Sequence, residues 1–108
     1  MFKQVYLWNL RPGVSPEEAE KQYLEVHVPM AKKIPGLRKY NIAKARGEAP
    51  PYYRMAELYF DSEDARNAGL ASPEGKAAAE DTGFRFFTTD KQVYLMNTIF
   101  FEEEEVKL

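Results

Sequence analysis

The chain has 108 residues with a formal net charge of −2, which fits one domain spanning residues 1–108 and leaves no room for a second core. Charges of both signs are spread along it, so the basic stripe of a nucleic-acid-binding protein is missing. There is no cysteine, which excludes disulfides and thiolate catalysis. We read no signal peptide and no apolar stretch near the ~18 residues that span a bilayer, and therefore expect a cytoplasmic protein.

The amino-terminal half predicts a strand, a helix and a second strand. Residues 2–10 are rich in β-branched and aromatic residues and end at an Arg-Pro-Gly turn. Ser15 then caps a helix, with Pro16 in its first position and Glu18 completing a capping box. The helical region ends before Pro35-Gly36, and residues 37–46 have the composition of a strand.

The carboxyl-terminal half repeats this order. A loop over residues 47–51 leads to a third predicted strand over residues 52–60. Asp61 or Ser62 caps a second helix that runs to about Ala71, and Pro73 opens a short helix to about Asp81. Residues 91–101 form the fourth predicted strand.

The order β-α-β-β-α-β predicts an α+β, ferredoxin-like fold whose four-stranded antiparallel sheet carries its helices on one face. Apolar residues occur at both parities of the strands, whereas a sheet with one wet face should alternate. We therefore expect the helix-free face to pack on a second copy of the chain, giving a homodimeric α/β barrel. The alternative is a monomer with scattered surface aromatics.

The single histidine, His27, lies on the apolar stripe of the first helical region. Pro29 follows two residues later, and a proline there should kink or break the helix just past His27. An inward-facing histidine beside a disrupted turn is typical of a small pocket, where it could act as general acid/base or orienting donor. The alternative is a core histidine satisfied by a carbonyl or a tyrosine. The stripe comprises Ala19, Tyr23, Leu24, Val26 and His27.

Glu57 is the second candidate, because a carboxylate in the middle of a strand is costly to bury unless it is paired. It could orient His27 across a cavity, or form a salt bridge with Arg38, Lys39 or Arg54. Glu80 and Asp81 end a helix where negative charge is unfavourable, and solvent exposure explains them adequately.

Metal and cofactor signals are weak. One histidine and no cysteine cannot build a usual zinc site, and the dinucleotide and phosphate-loop motifs are missing. Haem ligated by His27 is the disfavoured alternative. We therefore expect no metal and no cofactor.

Several segments resemble the EthD family, in order, over most of the chain. The segment YLEVHVPM at residues 23–30 and IPGLRKY at 34–40 resemble its His-x-Pro-Leu and Pro-Gly-Leu-x-x-Tyr signature. AELYFDS at 56–62 and LASPEGK at 70–76 resemble two further family segments. The chain departs from the family at residues 80–84, EDTGF, where relatives often have an acidic residue followed by Asn-Phe.

The resemblance implies a dimeric α/β barrel in which His27 and Glu57 occupy the family's recurring positions. The family takes its name from a gene cluster for ethyl tert-butyl ether degradation, and related barrels include cofactor-free monooxygenases, isomerases and dehydratases. We therefore expect a cofactor-independent enzyme for a small apolar or oxygenated molecule, with His27 moving a proton and Glu57 orienting it. The alternative is a non-catalytic protein that binds a hydrophobic metabolite or supports a partner oxygenase. The candidate pocket walls are Tyr6, Trp8, Tyr23, Tyr40 and Phe84.

Overall fold

The computed structural model describes residues 1–81, 86–88, 91–92 and 94–108, and the side chains of residues 1–81 and 96–108. Its strands are β1 (Phe2–Leu10), β2 (Lys39–Lys44), β3 (Arg54–Phe60), β4 (Phe86–Thr88), β5 (Lys91–Gln92) and β6 (Tyr94–Glu102). The main sheet is antiparallel with the order β2-β3-β1-β6, and β4 pairs with β5 in a separate two-stranded sheet. The predicted α+β class and four-stranded antiparallel sheet are confirmed.

The helical segments begin where the sequence places capping side chains. The hydroxyl of Ser15 accepts from the backbone N–H of Glu18, that of Ser62 from Ala65, and that of Ser72 from Gly75. The segments are α1 (Pro16–Gln22), a π-helical turn (Tyr23–His27), α2 (Val28–Ala31), α3 (Glu63–Ala71) and α4 (Pro73–Ala79).

Pro29 widens the helix before it and does not break it. Since Pro29 has no N–H, the regular hydrogen bond to the carbonyl of Glu25 cannot form. The backbone N–H of Val28 instead bonds to the carbonyl of Tyr23, five residues back, and the helix continues. The helix is therefore disrupted at the π-helical turn, as expected of a proline there, but the predicted break past His27 does not occur.

The π-helical turn also rotates two residues of the predicted apolar stripe outward. Leu24 and Val26 are 42% and 40% exposed, while Ala19 and Tyr23 are almost fully buried. The extra residue in the turn shifts the angular positions that regular helical spacing assigns. The stripe predicted from regular spacing is therefore too broad.

The core lies between the helices and one face of the main sheet. That face carries the even-numbered residues of β1 and β3, whose most deeply buried members are Trp8 and Phe60. The odd-numbered residues lie on the other face, where register places Val5 between Glu57 and Ile99. On that face Ile99 and Phe101 are 42% and 45% exposed.

Element boundaries differ from the predicted ones where tertiary pairing decides them. β2 and β3 are shorter than expected because residues 45–53 form the connection between them. The predicted fourth strand is divided, since residues 91–92 pair with β4 and only β6 joins the main sheet. In the part of the chain that the structure describes, no helix has the length and apolar character needed to cross a membrane.

Candidate functional site

A cavity of about 70 Å³ lies between the helices and the helix-bearing face of the main sheet. Strands and the π-helical turn contribute its aromatic wall, and its small residues leave space because they end at Cβ or before it. The aromatic wall comprises Tyr6, Trp8, Tyr23, His27 and Tyr40, and the remaining lining is Ala31, Ile34, Ala56, Leu58, Leu70, Gly75, Ala78, Ala79 and Met96.

His27 is held at this cavity by a carboxylate. Its Nδ1 atom lies 3.1 Å from Oδ2 of Asp81, and the two side chains are 13% and 8% exposed. His27 ends the π-helical turn, and Asp81 follows α4, which packs against α2. When the carboxylate accepts from the ring, Nδ1 carries a proton and the contact orients the imidazole.

Two tyrosine hydroxyl groups meet at the same cavity. The hydroxyl oxygens of Tyr23 and Tyr40 lie 3.5 Å apart, at the long limit of a hydrogen bond. The Tyr23 ring stacks on the His27 imidazole with centroids 5.8 Å apart, and meets Trp8 edge-on at 5.1 Å. Burial raises the pKa of Tyr40, which keeps this hydroxyl protonated and able to donate.

An ion pair between buried Arg54 and partly buried Glu20 lies beside Tyr23. The guanidinium of Arg54 lies 5.4 Å from the Tyr23 ring centroid and forms a hydrogen-bonded pair with Glu20. Hydrogen bonding to Arg54 lowers the pKa of Glu20. Burial, followed by the bond to Glu20, raises the pKa of Tyr53 to about 12. Arg54 is thus paired with a carboxylate from α1 and not with Glu57.

Glu57 lies on the opposite face of the sheet from His27. It pairs in register with Val5, and its carboxylate accepts from Lys3 Nζ at 2.8 Å. Lys3 also donates to Glu103 at 2.9 Å, and the bond to Glu57 is the main cause of its raised pKa. The prediction that Glu57 orients His27 is wrong, because strand alternation directs the two side chains to opposite sides of the sheet.

Asp81 is the residue that sequence reasoning set aside. It was expected to be solvent-exposed, yet it is buried against His27. The usable signal was its position after α4, since a carboxylate at the C-terminal end of a helix needs a compensating partner. Four of the five predicted wall residues surround one cavity with His27, while Phe84 lies outside the described residues. Their role in binding stays a prediction.

Among the described residues, no group of three or more His, Cys, Asp or Glu side chains could hold a metal ion. The polar groups of the cavity are an imidazole, an indole and phenols, which suit proton transfer and hydrogen bonding to a small molecule.

The structure defines a ferredoxin-like α+β protein with a histidine–carboxylate pair at a small interior cavity. The model of the EthD domain matches residues 11–90, and the chain belongs to this family. A curated relative from Rhodococcus erythropolis, an uncharacterized 11.0 kDa protein in the thcB–thcC intergenic region, is 32% identical over 104 residues. The match covers 88% of this chain and 99% of that protein.

Solved structures share the fold at lower identity. An ethyl tert-butyl ether d (EthD) family protein from Bacillus halodurans has a TM-score of 0.76 and 24% identity, covering 96% of this chain and 100% of that one. A dimeric ferredoxin-like protein from Thermobifida fusca has a TM-score of 0.69 and 19% identity, covering 93% and 88%. SnoaB, a cofactor-independent oxygenase from Streptomyces nogalater, has a TM-score of 0.68 and 17% identity, covering 97% and 94%.

Proposed function

We propose that the protein is a cofactor-independent enzyme that acts on a small apolar or oxygenated molecule, with His27 as the general acid/base. The observation that carries this proposal is the position of His27, which lines a cavity while Asp81 holds its Nδ1 atom. Asp81, and not Glu57, takes the positioning role.

The arrangement suits proton transfer to or from carbon. The His27 imidazole can remove an acidic C–H proton from a molecule bound in the cavity and later return it. A positioned acid/base contributes ~10²–10⁴-fold in rate, enough for enolisation, lactone isomerisation or dehydration of an activated substrate. The largely apolar walls select a substrate with a hydrophobic body.

The comparisons support this class of chemistry without specifying a reaction. SnoaB has a similar fold and is a cofactor-independent oxygenase, and the family name refers to ethyl tert-butyl ether. We further propose that the chain forms a single domain, and that it works in the cytoplasm as part of a degradation pathway.

We also propose that the protein is a homodimer joined through the helix-free face of the sheet. Ile99 and Phe101 are exposed there, beside the less exposed side chains of Leu7 and Met55. A neighbouring structure of the same fold is described as dimeric. Exposed apolar side chains on a sheet face that no helix covers are typical of a protein interface.

The proton-transfer proposal is tested with 2-indanone, an apolar ketone whose C–H groups beside the carbonyl are acidic. The wild-type protein in D₂O should accelerate loss of those proton signals in NMR spectra, and His27→Gln should abolish the acceleration. Tyr52→Phe is the matched control, because it keeps His27 and removes a hydroxyl that does not line this cavity. An exchange rate in wild type equal to that of His27→Gln contradicts the proposal.

The second candidate is a binding protein that sequesters a hydrophobic metabolite or supports a partner oxygenase. The predominance of aliphatic and aromatic lining favours it. It predicts that 2-indanone binds with similar affinity to wild type and to His27→Gln, and that neither accelerates exchange.

A further inference from the structure

A second depression, an open groove of about 640 Å³, adjoins the cavity that His27 lines. Because the two share part of their lining, a molecule whose body enters the cavity can place its other end in the groove. The shared residues are Tyr6, Leu70, Ala79 and Met96, and the groove is further lined by Gln4, Asn9, Tyr52, Arg66, Asn97 and Thr98.

The groove differs from the cavity in polarity and in charge. The residues that it does not share with the cavity carry amide, hydroxyl or guanidinium groups. Of the described residues that line it, Arg66 alone has a formal charge at neutral pH. A depression lined by charge of one sign attracts a ligand of the opposite sign, so the groove favours an anionic group.

The Arg66 guanidinium is not neutralised by a carboxylate from the described part of the chain. Arg38, by contrast, forms a salt bridge with Asp61 at 2.8 Å. The Nε atom of Arg66 donates to Oε1 of Gln4 at 3.0 Å, and Nη1 donates to Oδ1 of Asn67 at 2.9 Å. Both acceptors are neutral amides, and a guanidinium has five N–H donors. Donors and an uncompensated positive charge therefore remain for a ligand.

The surroundings hold the Arg66 guanidinium in place before a ligand enters. Gln4 is 2% exposed, and its amide both accepts from Arg66 and donates to the Tyr6 hydroxyl oxygen, which fixes its orientation. The Phe100 ring, which lies opposite Gln4 in the sheet register, has its centroid 5.0 Å from Cζ of Arg66. A cation that is already ordered loses less entropy when it binds an anion.

We infer that Arg66 binds a carboxylate group of the ligand in this groove, so that the substrate class is small carboxylic acids with an apolar body. This inference deepens the proposed function and, as a statement about its substrate, rests on it. A single guanidinium matches a carboxylate in charge and in planar, two-oxygen geometry. A phosphate dianion would need a second cation, and the described lining of the groove contains none.

Binding of 3-phenylpropanoate compared with 3-phenylpropanamide tests the subsite independently of turnover, because the two probes have nearly the same shape and differ in charge. The single tryptophan, Trp8, lines the cavity, so its fluorescence reports occupancy. We expect wild type at pH 7 to bind the acid about tenfold more tightly than the amide, the effect of one charge-assisted hydrogen-bonded pair.

Three variants test whether Arg66 causes this preference. Arg66→Met removes the charge and should reduce the preference to less than about twofold while leaving the affinity for the amide unchanged. Gln4→Glu keeps Arg66 but supplies a carboxylate from the protein itself, and should reduce the preference in the same way. Arg46→Met is the matched control, because it removes the same charge at an exposed position outside the groove and should keep the wild-type preference.

The outcomes separate failure of the subsite from failure of the proposed function. If wild type prefers the acid but does not accelerate exchange of 2-indanone, which has no carboxylate, the proposed function fails and the subsite stands. Equal affinities for the two probes in wild type, no binding of either probe, or a preference that persists in Arg66→Met and Gln4→Glu overturns the subsite. An equal loss of preference in Arg46→Met also overturns it, since overall charge would then be the cause.

Discussion

The Nδ1 atom of His27 lies 3.1 Å from Oδ2 of Asp81, and this contact joins the end of the π-helical turn to the segment after α4. Because both side chains are largely buried, the contact fixes the ring orientation and the tautomer together. The imidazole that lines the cavity is therefore held in one orientation.

Asp81→Asn should reduce proton exchange of 2-indanone by about 10²–10⁴-fold, since the amide can donate to Nδ1 and stabilise the wrong tautomer. Long-range ¹H–¹⁵N NMR should show the proton on Nδ1 in wild type and a shift toward the Nε2–H tautomer in the variant. Unfolding temperature measured alongside separates this effect from loss of structure. An unchanged tautomer together with unchanged exchange contradicts the positioning role of Asp81.

Glu20→Gln should lower the free energy of unfolding by about 2–3 kcal/mol at neutral pH, because Arg54 stays buried with a weakened partner. The pKa of Glu20 is lowered below its ordinary value of 4.5, so its contribution is present above about pH 4.5 and is lost as pH falls through the lowered value. Urea unfolding across this range should show the two proteins converging in acid. Glu48→Gln, at an exposed loop position, should track wild type throughout.

Gly75→Ala should lower the free energy of unfolding by about 3 kcal/mol, the upper end of the usual cost of overpacking. A Cβ at this position would lie 2.1 Å from the carbonyl oxygen of Gly69, and backbone cannot move aside as a flexible side chain can. The neighbouring exposed residue supplies the control, since Glu74→Ala adds no atom at the contact between α3 and α4. Equal unfolding midpoints for the two variants would contradict this prediction, because they would show that α3 and α4 can move apart without loss of stability.

Ile99→Lys should convert the proposed homodimer to a monomer, because it places a charge on the exposed apolar part of the helix-free face. Thr98→Lys introduces the same charge at the next position of β6, on the other face of the sheet, and should leave the molar mass unchanged. Light scattering gives the mass of each. A wild-type protein that is monomeric at micromolar concentration removes the basis of the interface.

The sequence predicts the elements whose signals are local. β1 has the predicted bounds, Ser15 caps α1 as predicted, and Ser62, one of the two candidates, caps α3. Both faces of the sheet carry apolar residues, as strand parity indicated. These features depend on neighbouring residues, for which composition and spacing are sufficient.

The wrong predictions at the site concern features that depend on strand pairing, helix geometry and helix packing. The face on which Glu57 lies follows from its register with Val5, and register cannot be read from one strand alone. The π-helical turn displaced Leu24 and Val26 from the positions that regular spacing gives. The burial of Asp81 depends on the packing of α4 against α2, far apart in the chain.

The most direct test of the central claim is an ¹⁵N NMR titration of the wild-type protein with 2-indanone, in which the single histidine needs no assignment. A ligand in the cavity should shift the Nε2 resonance of His27 in a saturable way, while the Nδ1 resonance keeps the signature of its bond to Asp81. His27 resonances that stay unchanged at saturating 2-indanone, while signals elsewhere move, would show that the ligand site does not include this imidazole.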